Sequence, residues 1–294
     1  MALFRALESA APPNTRLFHD PYAAQFLRPS LRAVVGLSRS RLGRGLVLGT
    51  IDRLWPGARA SGIARTRLID DRLLATLRCG KVEQVVVLGA GFDCRAHRHS
   101  LSPNLGYLEV DRPETQALKR ERLGDQINPD VRYVPCDFEA DSLSICLEKA
   151  GFRPGKRSFF LWEGVTNYLS PEAVDDVLGY VSSTAPGSVL LFTYVDRLVL
   201  DEPERFVGSQ RLRSTLRNSD ESWTFGIRPS EIADFLEHRG LRLVEDKCSI
   251  DYRAQYLGGS GAHLHGYEFY RVAVAIVADT LLDHPLGGPT RCPR

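Results

Sequence analysis

The strand-like run over residues 82–88, closed by Gly89-Ala90-Gly91, constrains the fold of this chain more than any other stretch. Val85, Val86, Val87 and Leu88 show no polar alternation, so the run reads as a strand buried on both faces. A strand covered on both faces needs a sheet sandwiched between helices. The glycines behind it let backbone pass close to a ligand and leave bare N–H groups to meet it.

The rest of the chain fits that frame. Strand-like segments recur at 105–110, 131–135, 158–162, 188–195, 241–248 and 267–277. Helical apolar spacing lies between them at 113–123, 171–183 and 229–238. Pro171 behind Ser170 marks a helix start. The pattern predicts an α/β fold: a Rossmann-like, mostly parallel seven-stranded sheet with helices on both faces. Residues 251–266 read as a Gly-rich polar loop, too short for a crossover helix, so the last strand is expected to run antiparallel. Residues 1–80 are expected to form a helical N-terminal lid segment. Residues 81–277 form the core, with a cap insertion at 197–228, and 278–294 form a tail.

Composition narrows the class. Of 294 residues, 43% are hydrophobic and 25% charged, which excludes disordered and collagen-like chains. No apolar run is long enough to span a bilayer, and no signal-like stretch opens the chain, so a cytoplasmic protein is expected. The six cysteines include no CxxC pair, so neither a zinc site nor a disulfide framework is indicated. Residues 1–67 hold eleven arginines, no lysine and three acids, a net +8 that leaves −6 for the rest of a +2 chain. A basic segment can attract anions. No aromatic-interleaved basic groove accompanies it and the rest of the chain is acidic, so nucleic acid is not expected as a partner, and with no bilayer-long apolar run a membrane is not expected either.

Four strand ends carry chemistry. Gly89 and Gly91 form the first. Twenty residues past Gly91, Asp111 ends the second strand, where a carboxylate can accept from both ribose hydroxyls of an adenosine. A dinucleotide fingerprint needs a third small residue, but Cys94 stands there behind Phe92 and Asp93, and Asp93 would repel a pyrophosphate. S-adenosyl-L-methionine carries a sulfonium and no phosphate, which suits these acids better. Asp137 and Phe138, ending the third strand, offer an acceptor and a ring to adenine. Glu163, ending the fourth, can receive an ammonium group.

These residues resemble the leucine carboxyl methyltransferase-type family of class I S-adenosylmethionine-dependent methyltransferases, in its bacterial small-molecule O-methyltransferase branch. The resemblance rests on His19-Asp20-Pro21-Tyr22, Ala64-Arg65-Thr66-Arg67 with Asp70-Asp71, Leu88 to Asp93 with Arg95, Glu109-Val110-Asp111 with Pro113, Asp137-Phe138, and Glu163-Gly164-Val165 with Tyr168-Leu169. It implies Arg65 as holder of the cofactor carboxylate, Gly89 and Gly91 as the amino-acid-side loop, Asp111 as the ribose acid, Asp137 and Phe138 as the adenine pair, and Glu163 as the acid near the amino group. The phosphatase-methylating members have an N-terminal lysine, but no lysine precedes Lys81 here, and either Arg5 or Ser9 takes that place.

The expected activity is O-methyl transfer from S-adenosyl-L-methionine to a carboxylate or hydroxyl of a small-molecule acceptor, of the kind found in secondary metabolism. Tyr194 and Arg197, at the end of the fifth strand, are candidates to orient that acceptor. His263 and His265 are candidate bases, and no catalytic base is named. The alternatives are a methyltransferase acting on a protein's C-terminal carboxylate, an NAD-dependent oxidoreductase and a non-catalytic cofactor-binding protein.

Overall fold

A computed structural model describes residues 1–99, 102, 104–209, 222–261 and 265–279. Four helices come first: α1 (Ala2–Ser9), α2 (Pro29–Leu37), α3 (Arg41–Leu54) and α4 (Ala58–Arg78). The alternating part follows as β1 (Gln84–Leu88), α5 (Arg95–Arg98), β2 (Gly106–Asp111), α6 (Pro113–Leu123), β3 (Val131–Pro135), α7 (Leu143–Lys149), β4 (Ser158–Trp162), α8 (Pro171–Ser182) and β5 (Val189–Val195). It closes with α9 (Leu198–Asp201), α10 (Ile232–Glu237), β6 (Leu241–Cys248), α11 (Ser249–Gly261) and β7 (Tyr270–Val277).

The seven strands form one sheet in the order β3-β2-β1-β4-β5-β7-β6. Strands β1 to β5 pair parallel, and β7 lies antiparallel to both of its neighbours. All five residues of β1 and all five of β4 are buried, as strands covered on both faces must be. One face packs Val86, Leu108, Phe160 and Phe192 against Val174, Val177 and Leu178 of α8. The other packs Val85, Val87, Phe159 and Leu161 against Ala64, Leu68, Ile69 and Leu73 of α4. Each such side chain contributes about 1.5–3 kcal/mol by leaving water. Helix α4 therefore shares a core with β1 and β4.

Local signals explain the helix ends. Pro171 opens α8, and the Ser170 hydroxyl accepts from the Ala173 N–H at 3.2 Å. One expectation fails: the segment expected as a loop at 251–266 contains helix α11. It starts directly behind β6, and its Tyr252, Tyr256 and Leu257 pack on the second core with α4. That apolar side outweighs the polar composition. The expected cap region holds α9 and a short 3-10 turn at Pro203–Arg205. Its residues 210–221, and the tail from 280, lie outside the described residues.

Candidate cofactor and acceptor site

The sheet order brings four strand ends side by side. Glu163 follows β4, Gly89 and Gly91 follow β1, Asp111 ends β2 and Asp137 follows β3, in the same sequence as β4-β1-β2-β3 in the sheet. The strand order reverses between β1 and β4, the place where open α/β sheets bind ligands.

A cavity of about 270 Å³ opens there, lined among others by Arg5, Arg65, Gly89, Gly91, Asp93 and Glu163. Gly89 has φ +63°, and a Cβ on it would stand 2.4 Å from a Val165 methyl, so no other residue fits without displacement. Gly91, at φ +47°, donates its N–H to Asp111 Oδ2 at 2.5 Å. Asp111 thus fixes the glycine turn from the next strand. Its other oxygen accepts from the Arg112 N–H. Arg112 also reaches Asp137, with Nε 3.1 Å from Oδ2. Phe138 leans on Trp162, ring centres 6.3 Å apart. Asp111, Asp137 and Phe138 do not line the 270 Å³ cavity but continue from it along the neighbouring strand ends.

A buried ion network forms the wall of this cavity. Arg95, 1% exposed, donates from Nε to Asp70 at 2.8 Å, from Nη1 to Glu163 Oε2 at 2.9 Å, and also to Asp93. Arg65, 4% exposed, donates from Nε to Glu163 Oε1 at 3.1 Å. Arg98 adds a second bond to Asp70 at 2.6 Å. Burial pushes the Asp70, Asp93 and Glu163 carboxyls up, but the arginines outweigh it and hold all three below their ordinary range. They stay ionised at neutral pH. The family resemblance rests on positions 70, 93, 95 and 163, but no sequence spacing shows that these four side chains bond to one another.

Of Arg5 and Ser9, Arg5 lines the cavity and Ser9 does not. Arg5 comes from α1 into the cavity wall and donates to the Phe92 carbonyl at 2.5 Å. Ser9 instead bonds the Arg5 carbonyl and accepts from the Asp20 N–H. Cys94 is fully buried, with its thiol pushed up to about 12 by burial.

A second cavity, about 400 Å³, shares Arg65 with the first. Phe4, Ile51, Trp55, Tyr168, Trp223, Tyr267 and Tyr270 make most of its wall. The Arg65 guanidinium sits 4.7 Å above the Tyr270 ring. The buried Trp223 indole N–H has no partner among the described residues. No Asp, Glu, His or Lys appears among the described residues lining this cavity. Burial pushes the Tyr270 phenol up, and the Tyr267 phenol up to about 12, so neither ionises at neutral pH.

The two residues expected to orient the acceptor lie elsewhere. Tyr194 is fully buried and donates to Asp246 at 2.9 Å, and Asp246 also holds Arg271 at 2.7 Å. The alternation of β5 points Tyr194 into the α8-side core. Arg197 pairs with Asp201 at 3.2 Å on the surface. His265 is exposed and lines neither cavity, and His263 lies outside the described residues. Away from both cavities, ligand atoms of Cys136, Asp141 and Cys146 lie within 4.8 Å of one another, a grouping that spacing did not reveal.

The chain matches known proteins. The leucine carboxyl methyltransferase profile fits residues 1–182, more than half of the chain. The chain belongs to the leucine carboxyl methyltransferase family. A relative from Frankia alni, named as a candidate S-adenosyl-L-methionine-dependent methyltransferase, is 35% identical over 76% of this chain and 78% of its own length. A similarly named relative from Parafrankia is 36% identical over 86% and 79%. A solved methyltransferase-like structure from Thermobifida fusca superposes with a TM-score of 0.59 at 19% identity, covering 93% of this chain and 97% of that one, and so supports the fold. Family membership makes the protein an S-adenosyl-L-methionine-dependent methyltransferase. The cavity chemistry fits that cofactor: a buried guanidinium for its carboxylate, a carboxylate for its ammonium and no phosphate-holding helix end. No helix among the described residues is long and apolar enough to cross a membrane.

Proposed function

We propose that this family member methylates the carboxylate oxygen of a small apolar acid, one that carries rings or a hydrocarbon chain. The observation that carries the reading is the 400 Å³ aromatic cavity, which shares Arg65 with the cofactor cavity and whose described lining side chains include donors but no carboxylate, imidazole or lysine. A carboxylate, with a pKa near ~4, is already ionised at neutral pH and needs no base. A phenol, near ~10, would need one.

The bound cofactor supplies an electrophilic methyl carbon on a sulfonium. Arg65, Arg5 and Glu163 hold its amino-acid end, and the glycine turn admits it beside β1. Asp111 holds the ribose, and Asp137 with Phe138 hold the adenine. The acceptor carboxylate forms a new O–CH3 bond as the S–CH3 bond breaks, and no proton moves. We assign Trp223, whose indole N–H has no partner among the described residues, as the donor to the acceptor carboxylate. The aromatic wall excludes water and aligns the two reactants, which is most of what such a displacement requires.

The test compares aromatic and alkyl carboxylic acids with the matching phenols and alcohols, using labelled cofactor and scoring the methylated product. Turnover of the acids, flat in kcat/KM from about pH 6 to 8, is expected because the substrate stays ionised there. Turnover of phenols that climbs with pH contradicts the reading. Methylation of peptides with a free C-terminus, and of no small acid, favours a protein acceptor.

A further inference from the structure

Helix α3 has one face that the fold does not use. Its Gly43, Val47 and Ile51 turn inward, whereas Leu42 and Leu46 are 85% and 71% exposed, the largest exposures among the described big apolar side chains. Leu37, at the end of α2, is 55% exposed, and Leu54 and Trp55 are exposed beside them. Such an apolar patch marks an interaction surface.

The charge around it selects the partner. Residues 28–55 contain six arginines and one acid, a net +5. Arg28, Arg32, Arg39, Arg41 and Arg53 are exposed, and none forms an ion pair among the described residues. The one acid, Asp52, is bound by Arg59 at 2.6 Å. Two copies of this face would oppose +5 with +5, so self-association is disfavoured. A nucleic acid would satisfy the arginines but leave the leucines in water. An anionic lipid surface satisfies both, with leucines in the acyl boundary and arginines at the headgroups.

We propose that the α2–α3 face docks on anionic bilayer surfaces, a peripheral contact that runs against the expectation of no membrane partner. Ile51 of α3 and Trp55 directly after it also wall the 400 Å³ cavity, so docking sets that cavity beside the lipid. The docking stands without the carboxylate reading, and only the arrival of an apolar acid from the bilayer rests on it.

The test is cosedimentation of the full chain with phosphatidylcholine vesicles, with and without phosphatidylglycerol. Neither cofactor nor acceptor is added, so the result is separate from any methylation assay. Binding is expected only with phosphatidylglycerol present, and it should fall as salt rises. A Leu42→Ser, Leu46→Ser double variant should bind roughly tenfold less. Its unchanged affinity for S-adenosylhomocysteine would show that the fold is intact. A second variant, Arg39→Gln with Arg41→Gln, should lose binding at moderate salt. No binding to anionic vesicles overturns the proposal, as does equal binding to neutral ones or binding that neither variant changes. A dimer in sedimentation that Leu46→Ser abolishes also overturns it, and so does DNA retardation without vesicle binding.

Discussion

The two cavities that meet at Arg65 are built on opposite principles. The cofactor side is a lattice of buried ions, with Arg95 alone touching Asp70, Asp93 and Glu163. The acceptor side is rings, with Arg65 as its one charged side chain among the described lining residues. A reactant that every family member shares can be met by fixed charges at strand ends. A reactant that differs between members is met by shape, from segments outside the parallel strands. Tyr270 opens β7 and Tyr267 lies just before it, Phe4 comes from α1, Trp55 follows α3, and Trp223 comes from the segment before α10. The acceptor side can therefore change without disturbing the sheet.

The largest expected effect breaks the ionic side outright. Arg95→Leu leaves the buried Asp93 without its ion-pair partner and takes one arginine each from Asp70 and Glu163, and should cost about 3–5 kcal/mol of unfolding free energy in urea. A loss near ~0.5 kcal/mol, typical of an exposed pair, would show that the network bears little weight. The same carboxylates set an acid limit. Their folded pKa values lie below the unfolded ones, so their stabilisation is present above about pH 4 and is lost as pH falls further. The urea midpoint of the wild type should drop below that pH, more steeply than in Arg95→Leu.

Next comes Asp111→Ala, which removes both the proposed ribose acceptor and the tie to the Gly91 N–H. It should weaken S-adenosylhomocysteine by about 2–4 kcal/mol in calorimetry. Unchanged affinity would sink the ribose assignment. The smallest effect sharpens the acceptor side. Trp223→Phe keeps a ring and deletes the N–H, so the acceptor KM should rise roughly fivefold, about 1 kcal/mol, while cofactor affinity stays put. A matching loss of cofactor affinity would mean the two cavities are not separable in this way.

These differences also set what the sequence could tell. Buried parallel strands announce themselves by apolar runs, and a residue that ends such a run is placed by it. Gly89, Gly91, Asp111, Asp137 and Glu163 were legible for that reason, and the structure sets them on adjacent strand ends. Residues placed by packing were not. Tyr194 ends a strand too, but which sheet face it meets depends on the strands laid beside it, and here that puts it on Asp246. Helix α11 was missed because polar composition and Gly258-Gly259 hid Tyr252, Tyr256 and Leu257. Trp223 sits in a stretch with no periodicity, and nothing in its neighbours signals a cavity.

The account turns on Arg65 as the shared wall that holds the cofactor's amino-acid end. Calorimetric titration of wild type and Arg65→Ala with S-adenosylhomocysteine and with methylthioadenosine, which lacks that end, tests it most directly. The account predicts that the variant loses roughly 10- to 100-fold in affinity for the first ligand and almost nothing for the second. Equal losses for both would contradict it, placing Arg65 in the frame of the fold instead of at the ligand.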